Sequence, residues 1–355
     1  MMTKTNPGNF FEDFHQDQEI IHATPRTVTH GDVATYLSLF GSRFPVHSSR
    51  VFAQDLGYDE MPIDDMLAFH LVFGKTVPDI SLNAVANLGY ADGRFGVSVQ
   101  VGDTLTTVSR VIGLKENSNG QTGVVYVRST GRNQRGEMVV EYARWVMVRK
   151  RDQTRPTPPT VVPNLPKVVA ASELSVPAGI TVAKYNTALA GSPHLWDDYQ
   201  VGEKIDHVDG MTIEEAEHQM ATRLYQNTAK VHFNLHQQSK DRFGKRLIYG
   251  GHVISLARAL SFNGLANAFR VVAINGGSHA NPTFAGCTIY AWSEVLEKMT
   301  LPNRSDIGAL RLRTVAVKDM TCEAFPYKDA EGKYDPQVVL DFDYTVLVPR
   351  QIGKA

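Results

Sequence analysis

Apolar positions along this chain fall into two kinds of run. Between 252 and 268, Val253, Ile254, Leu256, Ala257, Leu260, Phe262 and Leu265 spread around most of a helical circumference. A helix patterned this way must be buried on most of its sides. Runs rich in β-branched and apolar residues predict strands at 96–101, 105–114, 123–129 and 138–149, with counterparts at 288–296, 310–318 and 337–348. Asn133-Gln134-Arg135-Gly136 predicts a hairpin turn before the strand that starts at 138. Helical stretches at 31–40 and 213–225 precede these blocks, each followed by a loop carrying a histidine and then by a longer helix.

The chain says nearly the same thing twice. Phe10-Phe11-Glu12-Asp13-Phe14 returns as Leu195-Trp196-Asp197-Asp198-Tyr199, a displacement of 185 residues, and Val46-His47 returns at the same displacement as Val231-His232. Val101-Gly102-Asp103-Thr104-Leu105 is echoed by Ala285-Gly286-Cys287-Thr288-Ile289. A repeat this long is a duplicated domain, because each copy can enclose its own core. Five of the 17 prolines fall between 155 and 166, in a stretch that can form neither a helix nor a central strand. The expected organisation is therefore a unit at 1–152, an extended linker at 153–169 and a second unit at 170–355. Pairing Gly74 with Gly250 would place about nine extra residues near 58–66 of the first copy, an acidic surface loop holding Glu60, Asp64 and Asp65. The fold class is α+β: an antiparallel sheet wrapped around a long central helix, made twice.

Composition removes several alternatives. Lys+Arg 36 against Asp+Glu 37 gives a formal charge of −1, which offers no electrostatic argument for binding nucleic acid. No apolar run is long enough to span a membrane, and the opening Met1-Met2-Thr3-Lys4-Thr5 does not read as a secretory signal. Two cysteines, Cys287 and Cys322, are too few for a disulfide framework or a metal cluster, so Cys287 is expected to be a small buried hydrophobe. His232 and His236 have helical i, i+4 spacing but lack the intervening glutamate of a metalloprotease, and no metal is expected there. The expected location is the cytoplasm.

The pattern resembles the hot-dog fold in its tandem form, and the chain resembles the MaoC-like family of (R)-specific enoyl-CoA hydratases. That family's motif is an acidic residue, four intervening residues that usually include Asn-Pro, and a histidine, followed about 17 residues later by a helix opening with His-Gly. Here Asn227-Thr228-Ala229-Lys230-Val231-His232 occupies the first part and Tyr249-Gly250-Gly251-His252 the second. Val99-Gln100-Val101-Gly102-Asp103-Thr104-Leu105 echoes the family's strand signature. Within the family, 225–234 and 246–258 look like the branch acting on mesaconyl-CoA. The resemblance implies an acyl-CoA substrate, no cofactor beyond the CoA that the substrate carries, and a homo-oligomer.

Adding water to an unsaturated thioester requires a base for water, an acid for the α-carbon and donors for the carbonyl oxygen as enolate charge develops. His232 is the expected base, since imidazole exchanges protons near neutrality. The helix start at Gly250 and Gly251, flanked by Tyr249 and His252, is the expected thioester site. Unpaired N–H groups there point at the ligand, each worth roughly 3 kcal/mol in a dry site. Asn227 stands where the family has a carboxylate; an amide can orient water but cannot take its proton. Either His232 works without a carboxylate, or one arrives from elsewhere. The first copy has Ser42 at the acidic position, then Arg43 and His47, and its helix is expected to open at Phe73-Gly74-Lys75. That copy is read as mainly structural, building the acyl or CoA pocket, with His47 a possible secondary site. The extra carboxylate of a mesaconyl group would need a cation, for which Arg43, Lys75, Arg223 and Lys230 are candidates. Two other readings remain open: a hot-dog acyl-CoA thioesterase, and a non-catalytic acyl-CoA binding protein in which Asn227 and Ser42 mark decayed sites.

Overall fold

The computed structural model describes residues 4–351. Ten antiparallel strands form one sheet: β1 (Glu19–Thr27), β2 (Ala84–Phe95), β3 (Thr104–Glu116), β4 (Thr122–Arg132), β5 (Met138–Arg149), β6 (Lys204–Thr212), β7 (Arg270–Ser278), β8 (Thr288–Leu301), β9 (Arg304–Lys318) and β10 (Val338–Pro349). Their spatial order is β1-β3-β4-β5-β2-β7-β10-β9-β8-β6. Replacing β6–β10 by their counterparts β1–β5 makes this order a palindrome. The two halves are thus related by a pseudo-twofold axis and meet where β2 pairs with β7, Tyr90 opposite Gly277 and Gly93 opposite Ile274.

Each half wraps its five strands around one helix. In the first, α1 (His30–Phe40) precedes the central α2 (Asp65–Thr76); in the second, α3 (Glu215–Leu224) precedes the central α4 (Gly250–Leu260). Every residue of α2 is buried, and so is every residue of α4 after Gly250, the environment that the apolar pattern of 252–268 demanded. The helix ends earlier than that pattern implied, because Asn263 and Gly264 leave helical geometry within the short turn Phe262–Leu265. Strand β3 alternates inward and outward along most of its length, and α1 begins with a reciprocal cap in which Thr29 Oγ1 accepts from Asp32 N and Asp32 Oδ2 accepts from Thr29 N.

The duplication persists at the level of single hydrogen bonds. His22 Nε2 meets Ser109 Oγ, which meets Ser129; in the second half His207 Nε2 meets Ser293 Oγ, which meets Thr314. The central helices begin at Asp65 and Gly250, 185 residues apart, so the first copy has no nine-residue insertion at 58–66. Phe73-Gly74-Lys75 lies at the end of α2 and not at its start. The expected strand at 96–101 is irregular chain. The proline-rich segment forms no helix, and it is bridged to β3 through reciprocal hydrogen bonds between Val161 and Leu114. Among the described residues, no helix is long and apolar enough to cross a membrane.

Candidate active site

The chain between α3 and α4 builds the motif loop. After α3, Gln226 takes a left-handed backbone (φ 54°) and Asn227, almost fully buried, closes a tight turn by accepting Ala229 N at its Oδ1 (3.1 Å). That turn launches the single helical turn Lys230–Phe233, which carries His232. Two contacts clamp it: Leu247 N donates to Val231 O (3.1 Å), and Leu247 O accepts from His232 Nδ1 (2.8 Å). Because the carbonyl fixes the proton on Nδ1, Nε2 is left as a lone-pair acceptor. Burial pushes the His232 pKa down to about 4, so the ring is neutral at ordinary pH.

Four further histidines surround the start of α4. His218 on α3 accepts Tyr249 N at Nε2 (2.9 Å) and so fixes the residue before the helix. His70 on α2 bridges the halves, with Nε2 on Ser255 Oγ (3.0 Å) and Nδ1 facing the Tyr249 hydroxyl (3.3 Å). Ser255 also accepts from the Tyr36 hydroxyl (2.9 Å). His279, following β7, pairs its Nε2 with the Tyr90 hydroxyl (3.2 Å). His252 packs between Phe40 and His218. Burial lowers all four: His218 to about 2, His70 and His252 to about 3, His279 to about 4. The shell is polar, closely packed and uncharged.

Gly250 and Gly251 are required by this packing. A Cβ on Gly250 would overlap the His279 ring, and one on Gly251 would overlap the rings of Tyr249 and His70. The space beside each Cα is therefore filled by rings rather than left open. Tyr249, at the N-cap position, makes no side-chain cap. The first N–H groups of α4 thus keep their positive end of the dipole available.

The equivalent place in the first half is closed. Asp64 caps α2 through Oδ1 to Met66 N (2.8 Å), and Ser42 Oγ lies 3.4 Å from its Oδ2. Asp65 Oδ2 accepts Val271 N (2.8 Å), its other oxygen faces the guanidinium of buried Arg270 (3.6 Å), and His47 Nε2 stands 3.7 Å away. His47 Nδ1 meets Pro62 O (3.3 Å), the counterpart of the His232–Leu247 bond. Asp64 and Asp65 are thus buried structural groups and not a solvated loop; Glu60 alone is exposed, paired with Arg50. Removing the Asp65 carboxylate leaves Arg270 as an uncompensated buried charge. Asp65→Ala is expected to lose ~3–5 kcal/mol in denaturant unfolding, and a loss below ~1 kcal/mol would show that Arg270 is satisfied without it.

Of the other sequence candidates, Arg43 lies exposed over the Phe262 ring (4.6 Å) beside Asp209 (3.7 Å), away from the histidine shell. Lys230 and Arg223 are exposed, and His236 bonds Lys240 at the surface. Cys287 is partly exposed in the turn before β8, not buried in a strand. Lys75 is buried near the loop and touches Gln226. Gly74 explains how: a Cβ there would overlap the Tyr225 carbonyl, so only glycine lets the end of α2 press against the motif loop. Among the described residues no group of three or more His, Cys, Asp or Glu is placed to hold a metal ion. His70, His218, His279 and Tyr90 belong to the site but carry no local motif.

The sequence model of mesaconyl-CoA hydratase matches residues 2–326. A β-methylmalyl-CoA dehydratase of Chloroflexus aurantiacus is 68% identical over 351 residues, covering 99% of this chain and all of that protein. A mesaconyl-CoA hydratase of Cereibacter sphaeroides is 59% identical over 347 residues, covering 98% of this chain and all of that one. A solved MaoC domain protein dehydratase from Chloroflexus aurantiacus superposes with a TM-score of 0.97 at 68% identity over 99% of this chain and 100% of that one. A double-hotdog protein of Mycobacterium tuberculosis shares the fold at a TM-score of 0.76 and 24% identity, covering 96% and 98% of the two chains. The architecture is a double hot-dog, and the chain belongs to the mesaconyl-CoA hydratase family.

Proposed function

We propose that the protein adds water across the double bond of mesaconyl-CoA to give β-methylmalyl-CoA, and catalyses the reverse dehydration. The observation that carries this reading is the pairing of an uncapped helix start at Gly250 with a neutral histidine whose Nε2 is free to accept a proton.

In the hydration direction the thioester oxygen takes up the N–H groups at the start of α4. His232 Nε2 receives a proton from water as the water oxygen bonds to the β-carbon, and the π electrons move into the enolate held by those N–H groups. The imidazolium then returns its proton to the α-carbon. A pKa near 4 in the closed site makes His232 a weak base, so the developing oxyanion must stabilise the imidazolium. Asn227 uses its oxygen within the turn, which leaves its Nδ2 hydrogens to hold the water oxygen. The second half supplies the chemistry; the first half supplies His70, Tyr90 and the closing wall.

The test follows enoyl-thioester absorbance of mesaconyl-CoA, with a thiol reagent reporting free CoA. Loss of absorbance without thiol release is the expected result. Thiol release would make the protein a thioesterase, a reading disfavoured because no carboxylate bonds His232 or Asn227 among the described residues. Absence of both signals would point to another acyl chain or to a binding protein.

A further inference from the structure

We infer that Lys75 is the counter-ion for the second carboxylate of the acyl group, and so the residue that selects a dicarboxylic over a monocarboxylic thioester; this rests on the proposed hydration of mesaconyl-CoA. Lys75 is only 4% exposed, yet among the described residues no carboxylate lies within ion-pair distance of its ammonium. Its contacts are Gln226 Oε1 and Thr24 Oγ1 (3.4 Å), both neutral. Arg26 stands close enough to oppose its charge, and the carboxylate of Asp32 is already committed to Arg26. Burial, with Arg26 adding to it, brings the Lys75 pKa down to about 8. A buried ammonium without an anion costs several kcal/mol, a cost that an arriving carboxylate relieves.

The position also fits. Lys75 lines a groove of about 360 Å³ together with Thr24, Gln226, Asn227, Thr228 and Phe233, so the groove reaches the motif loop. On the same helix, five residues earlier, His70 lies against Gly251 at the start of α4. Five residues of helix advance ~7.5 Å and turn ~140° about the axis, which directs Lys75 to Gln226 of the motif loop, whereas the thioester carbon and the far carboxylate carbon of a mesaconyl group are three carbon–carbon bonds, ~4 Å, apart. The flexible stem of a lysine closes the difference. Arg223, which lines the same groove, is exposed and lacks this enclosure. Arg43 and Lys230 line no part of it.

The experiment compares mesaconyl-CoA with 2-methylcrotonyl-CoA, which carries a methyl group in place of the second carboxylate. The readout is the ratio of the two kcat/KM values in the wild type, Lys75→Met, Lys75→Arg and Arg223→Met. In Lys75→Met the ratio is expected to fall ~100-fold or more, mainly through KM for mesaconyl-CoA, because a pocket built for a polar group rejects or accepts it by that order. Lys75→Arg should keep most of the ratio. Should the methionine variant not fold, Lys75→Gln retains a donor to Gln226 and supports the same comparison. A ratio unchanged in the folded Lys75→Met or Lys75→Gln variant, or the same fall in Arg223→Met alone, would overturn the assignment while leaving the hydratase standing. A wild type that hydrates 2-methylcrotonyl-CoA but not mesaconyl-CoA would instead overturn the substrate on which the assignment rests.

Discussion

His232→Ala should lower kcat for mesaconyl-CoA by ~10²–10⁴-fold, the range supplied by a positioned general base. The effect should lie in kcat rather than KM, because the ring's Nε2 carries a proton from water to the α-carbon during the reaction and is not what holds the bound thioester. His232→Gln sharpens the comparison, since an amide can hold water but cannot take its proton. Among the described residues the side chain's hydrogen-bond partner is Leu247 O, so the variant's thermal midpoint should move little while turnover collapses. Activity within tenfold of wild type in His232→Ala, in a folded protein, would remove His232 from the chemistry.

Stability should fail steeply in mild acid. Four of the buried histidines, His70, His207, His218 and His252, are held low by their burial, at about 3, 4, 2 and 3 respectively. The sign follows from proton uptake. Below the unfolded value near 6.5 the open chain binds protons that the folded chain refuses, so stability falls as pH drops and levels off only below the folded values. Each such group contributes up to ~1.4 kcal/mol per pH unit, and four give a limiting slope of ~5.5 kcal/mol per unit. A typical stability of 5–15 kcal/mol would then be exhausted in the region of roughly pH 5. Thermal unfolding followed by circular dichroism from pH 8 to pH 4.5 tests this. A midpoint that stays constant between pH 6.5 and 5 would mean that these imidazoles take up protons without opening the fold. Since His232 itself stays neutral to about 4, the acid limb of activity should track unfolding and not titration of the base.

How much of this was legible beforehand depended on which residues carried the signal. The duplication, the proline-rich crossing, the buried helix after Gly251 and the strands around 105–149 and 288–348 were written in periodicity and spacing. Four strands were not. β1 and β6 are edge strands with mostly exposed residues, so they lack an apolar alternation to read. β2 and β7 form the seam between halves, where Gly89, Gly93, Gly276 and Gly277 permit close packing and weaken any strand propensity. Matching Gly74 to Gly250 misplaced the first central helix, because the two glycines answer different demands: one admits the Tyr225 carbonyl, the other the His279 ring. The motif loop and the start of α4 were visible because the resemblance fixed their spacing. The histidine shell was not, since His70, His218 and His279 reach the site from three other elements, one of them in the opposite half.

The palindromic order of the sheet has a consequence for how such a protein can change. In a homodimer of single hot-dog chains, any substitution at one mouth is imposed on the other, so neither can be given up. Joining the copies covalently lifts that obligation. Here position 65 became a keystone, an aspartate locked against Arg270, while its twin at 250 stayed a bare glycine at an open helix end. With the thioester proposed at the start of α4, the chain should take one thioester, and equivalent positions in its two halves would then answer to different pressures, cohesion in the first and turnover in the second.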